Sequence, residues 1–524
     1  MITKIRVKNY KGFKEAEIPI KPITVLLGAN SSGKSSILQL LLLLQQTAEE
    51  TTASYKSALK IFGNRISIGK SENLFYGLDR RIPIFIQIDF RDEQIKDALV
   101  GALSDYIFEA SYFYLGHSFR EKAYSNDRDE IIKAMEHGLK EYDKEKYWRD
   151  TYKSNYISQR DLHNKDSQSL MRNLDFLTNL RNRIKTSSFS FSYTISYYRK
   201  NLIISEFSFC NDDISILSYD GNNFISEIID LNDNDNTSLK DAFIKNNTIF
   251  DFLGKKDSGI TSKMKIKSVE TSLSKTIISI INKVLGELQN EFKEPYINHV
   301  SPLRAHPQRY YMLDKANVTY SLDTYNANEI AEVVKDKPSL KNKVNDWFQQ
   351  FGLEVDVDEF KEAVHKMTVY QSGLPLDIPD VGFGVSQVLP VVLQGFLSPN
   401  KSITIVEQPE VHLHPQMQAA LADLFIDIVK ESKYTKHLII ETHSEYLLKR
   451  LRRRMAERSI ISSDNVSINL FHSRTNNNPA TIENLAIEEH GAFNWPEEYY
   501  GYELYNDIVE FLRLQGNGNL HSND

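Results

Sequence analysis

Gly28-Ala29-Asn30-Ser31-Ser32-Gly33-Lys34-Ser35 satisfies G-x-x-x-x-G-K-[ST] at every position. The chemistry such a run can do is anion binding. N–H groups of a glycine-rich turn converge on one point, and the following helix adds the positive end of its dipole. Lys34 supplies a point charge for outer phosphates and Ser35 a hydroxyl for Mg²⁺. Gly28, Asn30, Ser31, Ser32, Gly33 and Ser36 complete the expected cradle. The flanks suit it. Ile23-Thr24-Val25-Leu26-Leu27 reads as a strand, and Ser36 to Leu44 as a strong helix former.

A phosphate cradle needs an acidic residue at the end of a neighbouring strand to hold the metal. Ile403-Thr404-Ile405-Val406-Glu407-Gln408-Pro409-Glu410 supplies Glu407, acting directly or through water. Leu438-Ile439-Ile440-Glu441-Thr442-His443-Ser444 is a second apolar strand that delivers His443 at its tip. Gly382-Phe383-Gly384-Val385-Ser386-Gln387 opens an apolar helix, and Gly384 with Ser386 makes a second expected anion site. The residue after Glu407 is Gln408, whose amide cannot accept a proton as a base but can orient a water. Glu410, two residues on, is a carboxylate within reach.

These residues need a framework. The chain has 524 residues, which predicts about two to four domains or large insertions. Apolar content of 41% and charged content of 25% are ordinary for a globular protein. A net charge of −7 argues against a wholly basic nucleic-acid binder. Cys210 is the single cysteine, so no intrachain disulfide forms and a reducing, cytoplasmic setting is expected. Neither a signal peptide nor a membrane span is expected.

Ile2 to Tyr10, Ala16 to Ile20 and Ile82 to Phe90 read as strands, the last with Pro83 at a tolerant edge. From about Arg91 to Lys185 the texture is polar with helical spacing, as at Ile131, Ile132, Met135 and Leu139. Phe189 to Asp230 alternates as a β-meander, and Asp230 to Asn236 reads as a solvated loop. Lys267 to Phe292 reads as one long amphipathic helix, suited to a lever. Strands alternating with helices in the last third imply a parallel sheet with its ligand site at the strand ends.

The order of motifs resembles the ABC-type ATPases of the SMC, RecF and overcoming-lysogenization-defect kind. Within them it is most similar to the group that includes the ATPase subunit of Septu-type antiphage systems, some attached to retrons. Lys8-Asn9-Tyr10-Lys11-Gly12-Phe13, the phosphate loop, Ser301-Pro302-Leu303-Arg304, Val381 to Gln387, Glu407 to Pro415, Glu441 to Glu445 and Asn494-Trp495-Pro496 carry the resemblance. It implies an α/β P-loop ABC-type head with an antiparallel β subdomain and a helical insertion. The head would occupy 1–90 and 297–474, the insertion 91–296, and a C-terminal segment 475–524. The meander at 189–230 would join the head's antiparallel sheet.

The resemblance further implies ATP and Mg²⁺ bound between two heads of a homodimer or larger assembly. Lys34 and Ser35 of one head would face Gly384 and Ser386 of the other. Ser35 and Glu407 would hold Mg²⁺, Glu407, Gln408 and His443 would serve hydrolysis, and His414 would fall in the loop between the sites. The expected activity is slow ATP hydrolysis that regulates a partner, an HNH-type nuclease. The rivals are direct action on DNA in repair or tethering, and a nucleotide-bound scaffold. No nuclease is expected in this chain.

Other residues admit two readings. Lys449, Arg450, Arg452, Arg453 and Arg454, with Arg458 beyond, form a basic helix that could contact nucleic acid, lie as a solvated face, or pair with acidic residues of a partner. Arg304 and Arg309 could serve the nucleotide or the head interface, or form a structural salt bridge. His412 and His414 could cap a helix. With Glu410 they make a weak metal set. Trp495 and Tyr499 to Tyr502 read as core or a docking surface.

Overall fold

A computed structural model describes residues 1–50, 56–114, 165–254, 273–313, 321–324, 326–361, 364–457, 460–475, 478–488, 491–493, 509 and 513. Three strands open the chain, β1 (Ile2–Tyr10), β2 (Phe13–Pro19) and β3 (Ile23–Gly28), followed by helix α1 (Lys34–Ala48). Next come β4 (Ile84–Arg91), α2 (Glu93–Tyr114), α3 (Lys165–Arg183) and the strands β5 (Ser188–Tyr198), β6 (Asn201–Asn211), β7 (Ile214–Tyr219) and β8 (Phe224–Ile225). The first sheet is antiparallel with order β2-β1-β4-β5-β6-β7-β8. The meander therefore extends the layer begun by the N-terminal strands. Alternation buries one face, where Phe191 stacks on Phe209 with centroids 4.4 Å apart. β4 is an interior strand, not an edge. Pro83 is tolerated because the ladder starts after it, at Ile84.

Two helical expectations change. The acidic stretch at 230–236 is not a solvated loop. Asn232 and Asp235 form a capping box that starts α4 (Asp233–Ala242). Helix α5 (Leu273–Phe292) is no lever. Its apolar face, Leu273, Ile277, Ile281, Val284, Leu285, Leu288 and Phe292, is buried in the core that also holds α1. The periodicity was real, but a single apolar stripe on a helix is satisfied equally by a core. Ile131, Ile132, Met135, Leu139, Arg458, Trp495 and Tyr499 to Tyr502 lie outside the described residues.

The remaining elements are β9 (Ile297–Val300), β10 (Tyr311–Met312), α6 (Ala327–Asp336), α7 (Pro338–Gln349), β11 (Leu353–Lys361), β12 (Val364–Gln371), β13 (Leu374–Asp377), α8 (Phe383–Leu397), β14 (Ile403–Glu407), α9 (Pro415–Glu431), β15 (His437–Glu441), α10 (Glu445–Ala456), β16 (Val466–His472) and β17 (Thr481–Asn484). The second sheet has order β17-β16-β3-β15-β14-β9 and is parallel apart from β17. Its strands are apolar on both faces because both are covered. Leu26, Ile405 and Ile439 enter one core with α1 and the first sheet. Val25, Val406 and Ile440 enter the other with α8, α9 and α10. A small third sheet pairs β10, β12, β11 and β13. Among the described residues no helix is long and apolar enough to cross a membrane.

Candidate nucleotide site

In the second sheet β3, β15, β14 and β9 lie side by side, so Lys34, Glu441, Glu407 and His299 are brought to one end of it. Glu407 and Glu441 are register partners that close their strands. Each stands two residues beyond an inner-core side chain, Ile405 or Ile439, and so shares the α1 face. This is the carboxyl edge of a parallel sheet, where open α/β folds bind ligands.

The phosphate loop needs glycine at two places. Gly28 has φ +145°, and a Cβ there would lie 2.6 Å from the Phe471 carbonyl oxygen of β16. Gly33 has φ +107° and precedes α1, and a Cβ would lie 2.5 Å from the buried Phe13 ring. Asn30, Ser31 and Ser35 are exposed, whereas Ser32 is buried with its Oγ unpartnered. Ser36 N–H donates to the Gly33 carbonyl, and the Ser36 carbonyl accepts from Tyr10 Oη.

Lys34 is only 3% exposed. Its Nζ donates to the carbonyls of Gly28 at 2.8 Å and Ala29 at 3.0 Å, and lies 3.8 Å from Glu441 Oε1. Burial pulls the Lys34 ammonium below its ordinary value, against the attraction of Glu441. Glu441 is 5% exposed, with Oε2 unpartnered. Burial pushes its carboxyl up to about 7. Glu407 and Glu410 add repulsion, and Lys34 opposes the shift.

Glu407 is gripped from the side, with His299 Nε2 2.6 Å from its Oε1. Past the strand end the chain turns sharply. Gln408 has φ +44°, and its N–H donates to the Glu441 carbonyl at 2.7 Å. Glu410 is committed elsewhere. Its carboxylate accepts from Thr442 Oγ1 at 2.8 Å and His443 N–H at 2.6 Å, so it shapes the loop that carries His443. Burial raises the Glu410 carboxyl, while burial and the Lys34 charge lower the His443 imidazole.

The glycine turn before α8 rests against the loop after β14. A Cβ on Gly384 would lie 2.9 Å from the His412 carbonyl oxygen. Gly382 is exposed and Gly384 half-buried, but Ser386 is buried. His414 takes the capping role, with Nδ1 accepting from Gln416 N–H at the start of α9.

The basic helix α10 finds partners within the chain. Arg450 and Arg454 share Asp423, Arg453 and Arg454 share Glu457, and Lys449 meets Glu445. Arg452 lies over the Phe493 ring at 5.7 Å. The run is paired within the chain, with Asp423 of α9 and with the nearby Glu445 and Glu457, rather than with the acidic residues of a partner that were expected. Arg309 likewise forms ion pairs, with Asp377 and Asp380. Arg304 does not. It is buried and donates to three main-chain carbonyls, those of Gln387, Glu407 and Gln408.

The residues fit a nucleotide phosphate and its metal. The two glycines leave room that a Cβ would fill, Ser32 Oγ is an orphaned buried donor, and Glu441 Oε2 is an orphaned acceptor. Ser35 and Glu407 are the hard oxygen donors Mg²⁺ prefers. The sequence shows Glu441 as a carboxylate ending an apolar strand but not its place beside Lys34, and it shows neither the role of His299 nor the carbonyl contacts of Arg304. The strand order β15-β14-β9 is the signal that places the first two.

Residues 1–448 match the family model described as the AAA ATPase domain. A curated relative, the DNA double-strand break repair Rad50 ATPase of Thermoplasma acidophilum, is 25% identical over 132 residues. That match covers 24% of this chain and spans only 15% of the relative. The SMC head domain from Thermotoga maritima aligns over 93% of this chain and 99% of its own, with 9% identity and a TM-score of 0.36. The Smc head domain with an extended coiled coil from Pyrococcus furiosus, bound to the C-terminal domain of ScpA, aligns over 98% and 99%, with 11% identity and a TM-score of 0.32. With most of its length matched by that model, the chain belongs to the AAA ATPase domain family.

Proposed function

We propose that this chain is an ATP-binding head that closes with a second copy on ATP, hydrolyses it slowly, and in its closed shape regulates a partner effector. The observation that carries the slow turnover is Gln408. A complete cradle stands beside a metal-side carboxylate, yet the next residue is an amide. Lys34 would neutralise outer phosphate oxygens, and the loop N–H groups would orient them. Ser35 and Glu407 would hold Mg²⁺, which supplies Lewis acidity at the phosphoryl group. His443, on the loop braced by Glu410, would read the terminal phosphate. Gln408 would orient water without taking its proton.

An HNH-type nuclease is the proposed partner, on the strength of the motif order shared with Septu-type ATPase subunits. The second reading is direct action on DNA, favoured by the Rad50 match. Single-turnover hydrolysis with Mg²⁺-ATP tests the slow-holding reading. Wild-type turnover is expected well below the ~10 s⁻¹ of a median enzyme. Gln408→Glu is expected to raise it and shorten the ATP-bound state. Fast wild-type turnover that collapses in Gln408→Glu would make the amide the tuned catalytic group and overturn the reading.

A further inference from the structure

Arg304 is 5% exposed, and its guanidinium bonds only to main-chain oxygens among the described residues. Nη1 donates to the Gln387 carbonyl at 3.1 Å, in the first turns of α8. Nη2 donates to the Glu407 carbonyl at 2.8 Å and lies 3.4 Å from that of Gln408, where β14 ends. One planar fork therefore joins two elements that share no ladder. We propose that Arg304 is a positioning residue that locks the Gly382–Gln387 turn to the end of β14. The surface offered to a second copy and the metal-side carboxylate of the chain's own site then move as one body. This rests on the head-dimer reading above.

Three features of the site support the lock. Strand β9 and the segment after it hold Glu407 twice, His299 of the strand at its carboxylate and Arg304 beyond it at its carbonyl. The turn at Gln408, with φ +44° and its N–H given to Glu441, takes the chain out of the extended ladder just where Arg304 engages the two carbonyls. The geometry also calls for arginine. A guanidinium presents donors on two separate nitrogens in a rigid plane, whereas an ammonium is a single point that would have to leave one element.

The far end of α8 supplies a control. Lys436, buried just before β15, donates to the Phe396 carbonyl at 2.9 Å and reaches that of Gly395 at 3.4 Å. It pins the same helix to the same sheet by the same chemistry, but at the edge remote from the phosphate loop. Loss of either cation weakens packing. Only loss of Arg304 uncouples the turn from Glu407.

The test compares full-length wild type, Arg304→Lys and Lys436→Met. ATP affinity is measured by calorimetry, Mg²⁺-ATP-driven association by sedimentation, and folding by thermal melts. Arg304→Lys is expected to keep ATP affinity within about threefold while association weakens about tenfold or more, within the usual range of coupling between sites. Lys436→Met is expected to melt earlier and to associate like wild type. A folded Arg304→Lys that associates like wild type overturns the proposal. Hydrogen exchange on the wild-type protein decides the case without any variant. A non-hydrolysable ATP analogue with Mg²⁺ should change protection of 383–391 and 405–410 together. A change at 405–410 alone overturns the lock. Failure of wild type to associate on ATP would instead refute the head-dimer reading, and the exchange result would still judge Arg304.

Discussion

His299 Nε2 stands 2.6 Å from Glu407 Oε1, across the join between β9 and β14. A carboxylate at a strand end can swing through several rotamers, and this contact selects one. His299→Ala should free it and leave the metal-side oxygen less often in place. A hydrogen bond to a charged group contributes ~1.5–3 kcal/mol, so turnover at limiting Mg²⁺ should fall about tenfold or more. ATP binding measured in EDTA should not change. His299→Gln, which keeps an N–H donor, should recover part of the loss. Unchanged Mg²⁺ dependence in His299→Ala would show that Glu407 needs no such support.

Glu441 gives the site a pH-dependent cost. Its carboxyl rises from 4.5 to about 7 in the folded chain, chiefly through burial. The folded state therefore holds a proton that the unfolded state releases between these values. Its contribution to stability is full below about 4.5 and is lost as pH rises through about 7. Glu441→Gln, always neutral, should stabilise the protein at pH 8 by ~1–3 kcal/mol and far less at pH 5. Thermal melts in EDTA at the two pH values check this. An equal effect at both would mean that Lys34 keeps Glu441 ionised throughout.

The site was legible in the sequence where its parts are contiguous. The phosphate loop announces itself in eight consecutive positions. Glu407 and His443 follow from apolar strands that end in polar groups. The contacts of His299 and Arg304 are not local, since they span 108 and 83 to 104 positions. They exist only because β9 pairs with β14, and a four-residue strand has too little periodicity to announce its neighbour. The same holds for the basic helix. The pairs of Arg453 and Arg454 with Glu457 are three or four residues apart, but Asp423, the partner of Arg450 and Arg454, lies on α9, and only the packing of α9 on α10 brings it to them. The opposite error arose at α5, where a long amphipathic stripe suggested an arm and proved to be core.

Asp423 is the shared partner of Arg450 and Arg454, which makes it a test of the nucleic-acid reading. Asp423→Asn should lower stability by about 1 kcal/mol, as expected for partly exposed pairs. It should also free Arg450 and leave Arg454 with Glu457 alone, so affinity for duplex DNA should rise and its salt dependence steepen. Filter binding over a salt series measures both. Strong, salt-steep binding by wild type that is lost in Lys449→Ala with Arg453→Ala would instead favour direct action on DNA.

On the proposed function, each ATP site is built from two chains. Lys34→Ala disables the phosphate loop of one copy, and Ser386→Ala removes a hydroxyl from the opposing turn without adding volume. Each variant alone should associate poorly on Mg²⁺-ATP. In an equimolar mixture, the heterodimer joins the intact loop of one chain to the intact turn of the other. Each such heterodimer carries one intact site and one that is doubly disabled. ATP-driven association should therefore appear in the mixture and not in either variant alone, read by sedimentation. A mixture no better than either variant alone, with both variants folded and the wild type associating, would contradict it.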